Sequence, residues 1–258
     1  MNDASPDASD VPVTTTATSL DILELLRDEG TATLDEVVDT LGIAKSTVHR
    51  HLQTLKQRKY VMEEGGRYRL SLYFLLLSEP ARTRKRGYVL AKEKVIQLAQ
   101  ETGERALFLV EEDGEGVYVH RAGESNPLQS DTMIGYRRPL HALASGKAIL
   151  SQWSEKAVDA FIRREGLPEL TDSTITDPDR FRDELQTIRD RGYAVNDGEH
   201  MSGLRAVGVP VLDAEDEVIG GLSIFGPSNH LDAERMREEF PDVLQSKAEE
   251  IRFDLVYD

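Results

Sequence analysis

The sequence contains no cysteine. That excludes disulfides, thiolate metal sites and thiol nucleophiles, and it fits a reducing cytoplasm. Long apolar runs are also missing. The longest, Leu-Tyr-Phe-Leu-Leu-Leu at 72–77, has the size of a strand or a core segment, far short of the roughly 20 residues of a membrane span. No membrane partner is expected. The first 16 residues carry neither a basic cluster nor an apolar stretch, so they read as a disordered tail and not as a signal peptide. Histidine is scarce. The six are scattered without His-x-x-x-His spacing, and no metal site is expected.

Catalytic motifs are lacking as well. Gly146-Lys147 has no first glycine at P-loop distance and no Ser or Thr after the lysine. His141 and Ser145 stand four apart, but a serine hydrolase also needs an orienting acid and an oxyanion site, and no Gly-x-Ser-x-Gly elbow is present. His141 reads as a structural hydrogen-bonder. Neither a cofactor nor an enzymatic activity is expected. Glu199-His200 falls in a loop, with a partner, a ligand or no role left open.

What the chain has in excess is acid. Its formal charge is −16, a balance that suits a protein adapted to high salt, where a carboxylate surface stays hydrated. The charge is uneven. Residues 17–92 hold thirteen Lys and Arg against ten Asp and Glu, a balance of +3, so the remainder holds −19. Such asymmetry is what a DNA-binding module attached to an acidic body would show. Within it, residues 41–61 contain Lys45, Arg50, Lys56, Arg58 and Lys59 and no acid.

Three short helices are predicted there. The first spans Ser-Leu-Asp-Ile-Leu-Glu-Leu-Leu from Ser19, with apolar Leu20, Ile22, Leu23, Leu25 and Leu26, and ends at Gly30. The second opens on Thr33 and Glu36, the spacing of a capping box, buries Leu34, Val37, Val38 and Leu41, and stops at Gly42. The third runs from about Lys45 to Arg58 with Val48, Leu52 and Leu55 inward. Helix, glycine turn, helix is the helix-turn-helix pattern. Its outer side carries Ser46, Arg50, Gln53 and Gln57, flanked by Thr47, His49 and Thr54. Arginine pairs bidentately with guanine, glutamine with adenine, and hydroxyls reach phosphate or base. Gly65-Gly66 between two short strand-like runs predicts a hairpin. This is a wing, and its Arg67 and Arg69 are candidates for the DNA backbone. The predicted DNA-binding set is Lys45, Ser46, Thr47, His49, Arg50, Gln53, Arg67 and Arg69.

The expected organisation is α+β. A tail (1–16) precedes a winged helix-turn-helix (17–78) and a linker helix (79–102) with Ser78 at its cap and Pro80 in its first turn. An α/β effector-binding domain (103–258) follows. In it, two strands flank Glu-Asp-Gly-Glu-Gly, helices begin at Ser154 and Asp177, two strands flank 213–216, and a closing helix is broken near Pro241.

Three ordered motifs carry a resemblance. The Lys-Ser-Thr-Val-x-Arg-x-Leu run at 45–52, Pro-Leu-His-Ala-Leu-Ala-Ser-Gly-Lys-Ala at 139–148, and the long segment from Arg-Gly-Tyr at 191 to Gly-Pro at 227 resemble the IclR family of transcription regulators. The resemblance covers nearly everything after the tail. It implies a GAF-like effector domain, assembly as a homodimer or homotetramer, and binding to a double-stranded DNA operator. A small-molecule effector, an organic acid or a sugar-derived metabolite, would control that binding, in sugar or organic-acid catabolism. The chain resembles a family member from a halophilic archaeon, an ordinary acidic cytosolic protein being the alternative reading of its acid surplus. Carried over by position, the effector pocket is implied to include Ser130, Arg138, Ala144, Ser145, Asn196, Leu204, Ala206, Ser223 and Phe225, with Pro127 nearby. The chain departs from the small-acid binders of the family. Asn196 replaces an acid, Ala206 a cysteine and Phe225 a serine, and Arg138 stands where an apolar residue is usual. The alternative is an enzyme or assembly module with an accessory winged helix.

Overall fold

The computed structural model describes residues 11–123 and 133–257. It divides into two compact units, Met1–Ala81 and Arg82–Asp258.

The first unit orders its elements as α1 (Thr14–Glu29), β1 (Ala32–Thr33), α2 (Leu34–Leu41), α3 (Lys45–Gln57), β2 (Val61–Glu64), β3 (Arg67–Leu70) and α4 (Tyr73–Thr83). Ile22, Leu26, Val37, Val48, Leu52 and Val61 form its core, each at most 1% exposed. Thr33 and Glu36 close the capping box, the Thr33 hydroxyl accepting from Glu36 N–H and the Glu36 carboxylate from Thr33 N–H. Gly42 ends α2 in the left-handed region and donates its N–H to Val38 O at 2.9 Å. Strands β2 and β3 pair antiparallel across Gly65 and Gly66, whose φ values are +58° and +79°. Two positive φ values are what a type I′ hairpin turn needs. β1 adds to the far side of β3, giving the order β1-β3-β2.

Three expectations need correction here. Helix α1 starts at Thr14, so 14–16 are helical and do not belong to a disordered tail. The run at 72–77 is neither strand nor core. From Tyr73 it forms α4, and Leu72, Leu75 and Leu76 are 79%, 65% and 65% exposed. A single helix over 79–102 does not form. The chain breaks at Arg84-Lys85 between α4 and α5 (Arg86–Thr102). Ser78 therefore caps nothing and donates its hydroxyl to Leu75 O within α4, and Pro80 lies late in that helix. Helix α5 is no free linker, because its Tyr88, Ala91, Val95 and Leu98 are core residues of the second unit.

After α5 the second unit continues with β4 (Arg105–Glu112), β5 (Glu115–Ala122), β6 (Arg137–Pro139), a single 3-10 turn at Leu140–Ala142, α6 (Ala144–Ser151), α7 (Glu155–Glu165) and α8 (Pro178–Arg191). It ends with β7 (Ala194–Asp197), β8 (Leu204–Leu212), β9 (Val218–Pro227), α9 (Ala233–Arg237) and α10 (Glu239–Tyr257). Ser154 and Asp177 cap α7 and α8 through their side chains. Six strands form one antiparallel sheet in the order β6-β5-β4-β9-β8-β7. Its strands are apolar on both sides because both faces are covered. Ala106, Phe108, Val207, Val209, Leu222 and Ile224 face α5 and α10, while Leu107, Leu109, Ala206 and Phe225 face α6, α7 and α8. Among the described residues no helix is long and apolar enough to cross a membrane.

Helix α6 is buried along its whole length. It lies almost directly on the strands. A Cβ at Gly208 would sit 2.5 Å from Ser145 N, and one at Gly221 would sit 2.7 Å from Ser145 O. On the other side of α6, a Cβ at Gly146 would be 2.1 Å from Leu140 O. Alanine in mid-helix normally gains about 1 kcal/mol over glycine. Backbone atoms cannot give way as a flexible side chain can, so here the steric term wins. Gly146→Ala is expected to lower the unfolding free energy by about 1–3 kcal/mol, measured by urea denaturation. A stabilised variant would show that α6 has room the structure does not give it.

Candidate functional site

In the first unit the surface of interest is α3. Val48 and Leu52 are fully buried and Leu55 nearly so, which turns Ser46, His49 and Arg50 outward and leaves Thr47 and Gln53 half-buried. The Arg50 guanidinium lies back along its own helix, donating to Ser46 O at 3.3 Å and, at 3.5 Å, to the Thr47 hydroxyl. Three of the surrounding cations are engaged. Lys45 pairs with Asp35 at 2.5 Å, Lys56 with Glu63 at 2.7 Å and Arg69 with Glu64 at 3.8 Å. Arg67 is a clamp within the fold. It donates to the Thr31 hydroxyl and carbonyl, both at 3.1 Å, and pairs with Glu36 at 3.0 Å. Glu36 is held below its ordinary pKa chiefly by the Thr33 N–H of the capping box, with Arg67 adding to it.

In the second unit, one cavity of about 610 Å³, open mouth included, lies beneath the start of α6. Seven of the nine residues implied for the effector pocket line it: Ala144, Ser145, Asn196, Leu204, Ala206, Ser223 and Phe225. Strand register explains the convergence. Arg105, Phe225, Ala206 and Asn196 stand directly opposite one another across β4, β9, β8 and β7. The adjacent row on the same face is Leu107, Ser223, Gly208 and Ala194. Of the other two, Arg138 does not line the cavity. Its guanidinium stacks 4.9 Å over the Tyr136 ring and donates to Arg137 O, because β6 is the edge strand farthest from β8. Ser130, like Pro127, lies outside the described residues.

Sequence reasoning missed Arg105, Leu107, Tyr118, Leu143 and Met201 and left a ligand role open for His200; these six complete the lining. Arg105 is the consequential one. Its guanidinium sits 4.8 Å over the Phe225 ring, and burial, with the charge of Arg121, holds its pKa below the ordinary value. The signal was present in the period of two, since Arg105 shares a face with Leu107 and Leu109. Ser145 and Ser223, 3% and 2% exposed, add two hydroxyls. The first turn of α6 follows Leu143, which offers no capping side chain, so its leading N–H groups are donors for a ligand oxygen. The cavity thus combines an apolar body with an aromatic ring, a cation and hydroxyl and amide donors in its lining.

A buried charge cluster holds the cavity's rim. Lys147, 1% exposed, pairs with Glu199 at 2.6 Å and Glu184 at 3.2 Å, and Arg191 reaches Glu184 at 3.4 Å. The Thr174 hydroxyl donates to Glu199 O at 2.6 Å and that of Thr171 to Gly198 O at 2.7 Å. Asn196 accepts from Glu199 N–H through Oδ1 and donates through Nδ2 to Ala142 O. Glu199 is thus a buried anchor, and its neighbours His200 and Met201 are set at the cavity. His141 contacts Pro168 O through Nε2 at 3.0 Å, and burial holds its imidazole below the usual pKa.

Known proteins can now be set beside this geometry. The profile described as the IclR helix-turn-helix domain matches residues 17–65, and that described as the bacterial transcriptional regulator IclR C-terminal domain matches residues 76–253. The chain belongs to the IclR family of transcription regulators. It is 29% identical to the acetate operon repressor of Salmonella typhimurium over 90% of this chain and 88% of that protein. The crystal structure of the Thermotoga maritima IclR superposes with a TM-score of 0.83 at 28% identity, covering 94% of this chain and 99% of that one. A double mutant of the PobR inducer-binding domain from Acinetobacter, in complex with 3-hydroxybenzoic acid, matches with a TM-score of 0.60 at 28% identity, covering 63% of this chain and 95% of that one.

Removing Lys147 strands a buried carboxylate, and breaking such a pair costs about 3–5 kcal/mol. The cost should depend on pH. Burial pushes the Glu199 carboxyl above its ordinary pKa, and Lys147 is the main opposing influence. A raised folded-state pKa favours the protonated fold, so that contribution is present at low pH and lost as pH rises through the folded pKa. Without Lys147 the pKa rises further. The destabilisation of Lys147→Met is therefore expected to be smaller at pH 5 than at pH 8 in paired urea titrations. A pH-independent penalty would remove Glu199 from this role.

Proposed function

We propose that this protein is an operator-binding regulator whose affinity for DNA is set by a small carboxylate in the cavity under α6, and that it acts as a regulator and not as a catalyst. The observation that carries the reading is the meeting of Arg105, Ser145, Ser223 and the first turn of α6 around one apolar cavity. A carboxylate matches these donors, and the Phe225 ring suits an apolar or aromatic body. The PobR complex with 3-hydroxybenzoic acid is support of the same kind, and the acetate operon repressor supports a place in organic-acid catabolism. On the DNA side, Arg50, Gln53 and Ser46 are the base-reading group, with Lys45, Thr47 and His49 on the flanks and Arg69 on the wing. Arg67 serves DNA only indirectly, by fixing the wing to α2. The net charge of −16 fits work in a salt-rich cytoplasm.

The test is a gel shift with the promoters of its own and neighbouring genes, with and without a panel of small aliphatic and aromatic carboxylic acids. A specific shift is expected, altered by one acid. Arg50→Ala with Gln53→Ala is expected to weaken it about ten- to a hundredfold. Parent-like binding by that variant, or indifference to every acid, counts against the respective half of the reading.

We infer further that the working form is a homodimer, or a pair of dimers, built partly through α4. Leu72, Leu75, Leu76 and Leu77 together expose more apolar side chain than a solitary surface helix usually does. Light scattering should give a multiple of the 28.9 kDa chain mass. Leu75→Glu with Leu76→Glu should lower it; an unchanged mass would exclude α4 from the interface.

A further inference from the structure

The first unit carries a concave surface of which the roles above use only Thr47 and Arg50. It runs between α1 and α3, with Thr15, Thr16 and Ser19 on one wall and Thr47, Arg50, His51 and Thr54 on the other. Five of these seven side chains are hydroxyls and none is acidic, in a chain with 47 acidic residues. On α3 the four wall residues fall at i, i+3, i+4 and i+7, which makes one stripe beside the base-reading side. The stripe on the opposite flank, Lys45, His49 and Lys56, is different in kind, because both its lysines are already paired with carboxylates. His51 is held in place by its Nδ1 contact with the Ser19 hydroxyl at 2.8 Å. Arg50 belongs to both the outer side and this wall.

A helix lying in a major groove has a phosphate strand along each flank. Hydroxyls are ordinary donors to phosphate oxygens. Unlike lysines they release no counterions, so their contribution does not fade as salt rises. We propose that the groove between α1 and α3 receives the DNA sugar-phosphate backbone, gripped by the hydroxyls of Thr15, Thr16 and Thr47 together with Arg50 and His51, while the Thr54 hydroxyl donates to Arg50 O at 2.9 Å and only lines the wall. This rests on the DNA-binding reading above and adds α1 to the interface. It also explains how an acidic protein holds a polyanion with few available cations.

The experiment is fluorescence anisotropy of the full chain on a random-sequence duplex, titrated at several KCl concentrations. Thr15→Val with Thr16→Val keeps shape and removes two donors. It is expected to bind about three- to tenfold more weakly with an unchanged salt slope. Thr16→Lys should bind more tightly and steepen the slope by about 0.9, one additional neutralised phosphate. Thr187→Lys, on an exposed position of α8, makes the same change in net charge and should leave the slope alone. If the parent binds and the two lysine variants give equal slopes while the valine variant binds as the parent does, the groove holds no phosphate and the inference fails. If the Thr15 and Thr16 variants instead change the mass in light scattering, the groove is a subunit contact and the inference also fails. A parent that binds no duplex at all would overturn the DNA-binding reading itself, and this inference with it.

Discussion

Helix α6 rests on the central sheet at backbone distance, and the second unit is organised around that contact. It exists because Gly208 and Gly221 present no side chain where Ser145 passes over them. A helix seated at ordinary side-chain distance would sit several ångströms higher. Its first-turn amides would then lie away from Ser223 and Phe225, and the space beneath would be filled by core side chains. The close seating brings the open end of a helix to two cross-strand rows of the sheet. The same seating explains why Lys147 is buried. A lysine one turn into a helix with no exposed face has only the interior to occupy, so Glu199 and Glu184 must be there to meet it.

Charge is used in two different ways in the two units. In the second, the Lys147–Glu199 pair is buried, with the partly exposed Glu184 beside it, and neither member of the pair can lose its partner without leaving an unpaired buried ion. It acts as a fastening for the segment that carries His200 and Met201. In the first, the pairs Lys45–Asp35, Lys56–Glu63 and Arg69–Glu64 are exposed. Such pairs contribute little to stability. Being exposed they exchange partners readily, so they neutralise basic charge without committing it to the fold. Arg67 differs from these, since it also bonds to Thr31 and its release would loosen the join between β3 and α2.

How much of this was legible in the sequence depends on how local each feature is. The capping box at Thr33 and Glu36, the inner stripe of α3, the hairpin glycines and the caps at Ser154 and Asp177 are decided within a few residues, and each is found as read. The run at 72–77 was not legible, because an unbroken apolar stretch has no period and suits a strand, a core segment or an interface helix equally. Strands β6 and β7 are three and four residues long. They exist by pairing with β5 and β8, which no local pattern announces. The pocket residues came from motifs, not from spacing, and Arg105 and Tyr118 fall outside those motifs.

The geometry also changes what the departures from the family pattern mean. The family resemblance implies an acid at the position of Asn196 in small-acid binders, which reads at first as altered ligand chemistry. Yet both ends of its side chain are used inside the protein, on Ala142 O and Glu199 N–H. A carboxylate there would lose the donor and face the Ala142 carbonyl with like charge. Asn196 therefore shapes the pocket by holding the turn before α6 and the segment after β7 together, and its substitution would report on that join before it reported on a ligand. Phe225 is different, because its ring is part of the lining and lies under the Arg105 guanidinium. The ring and the cation together fill space that a serine would leave open, so of the two departures it is the Arg105–Phe225 pair, and not the acid-to-amide change, that alters the surface the cavity presents.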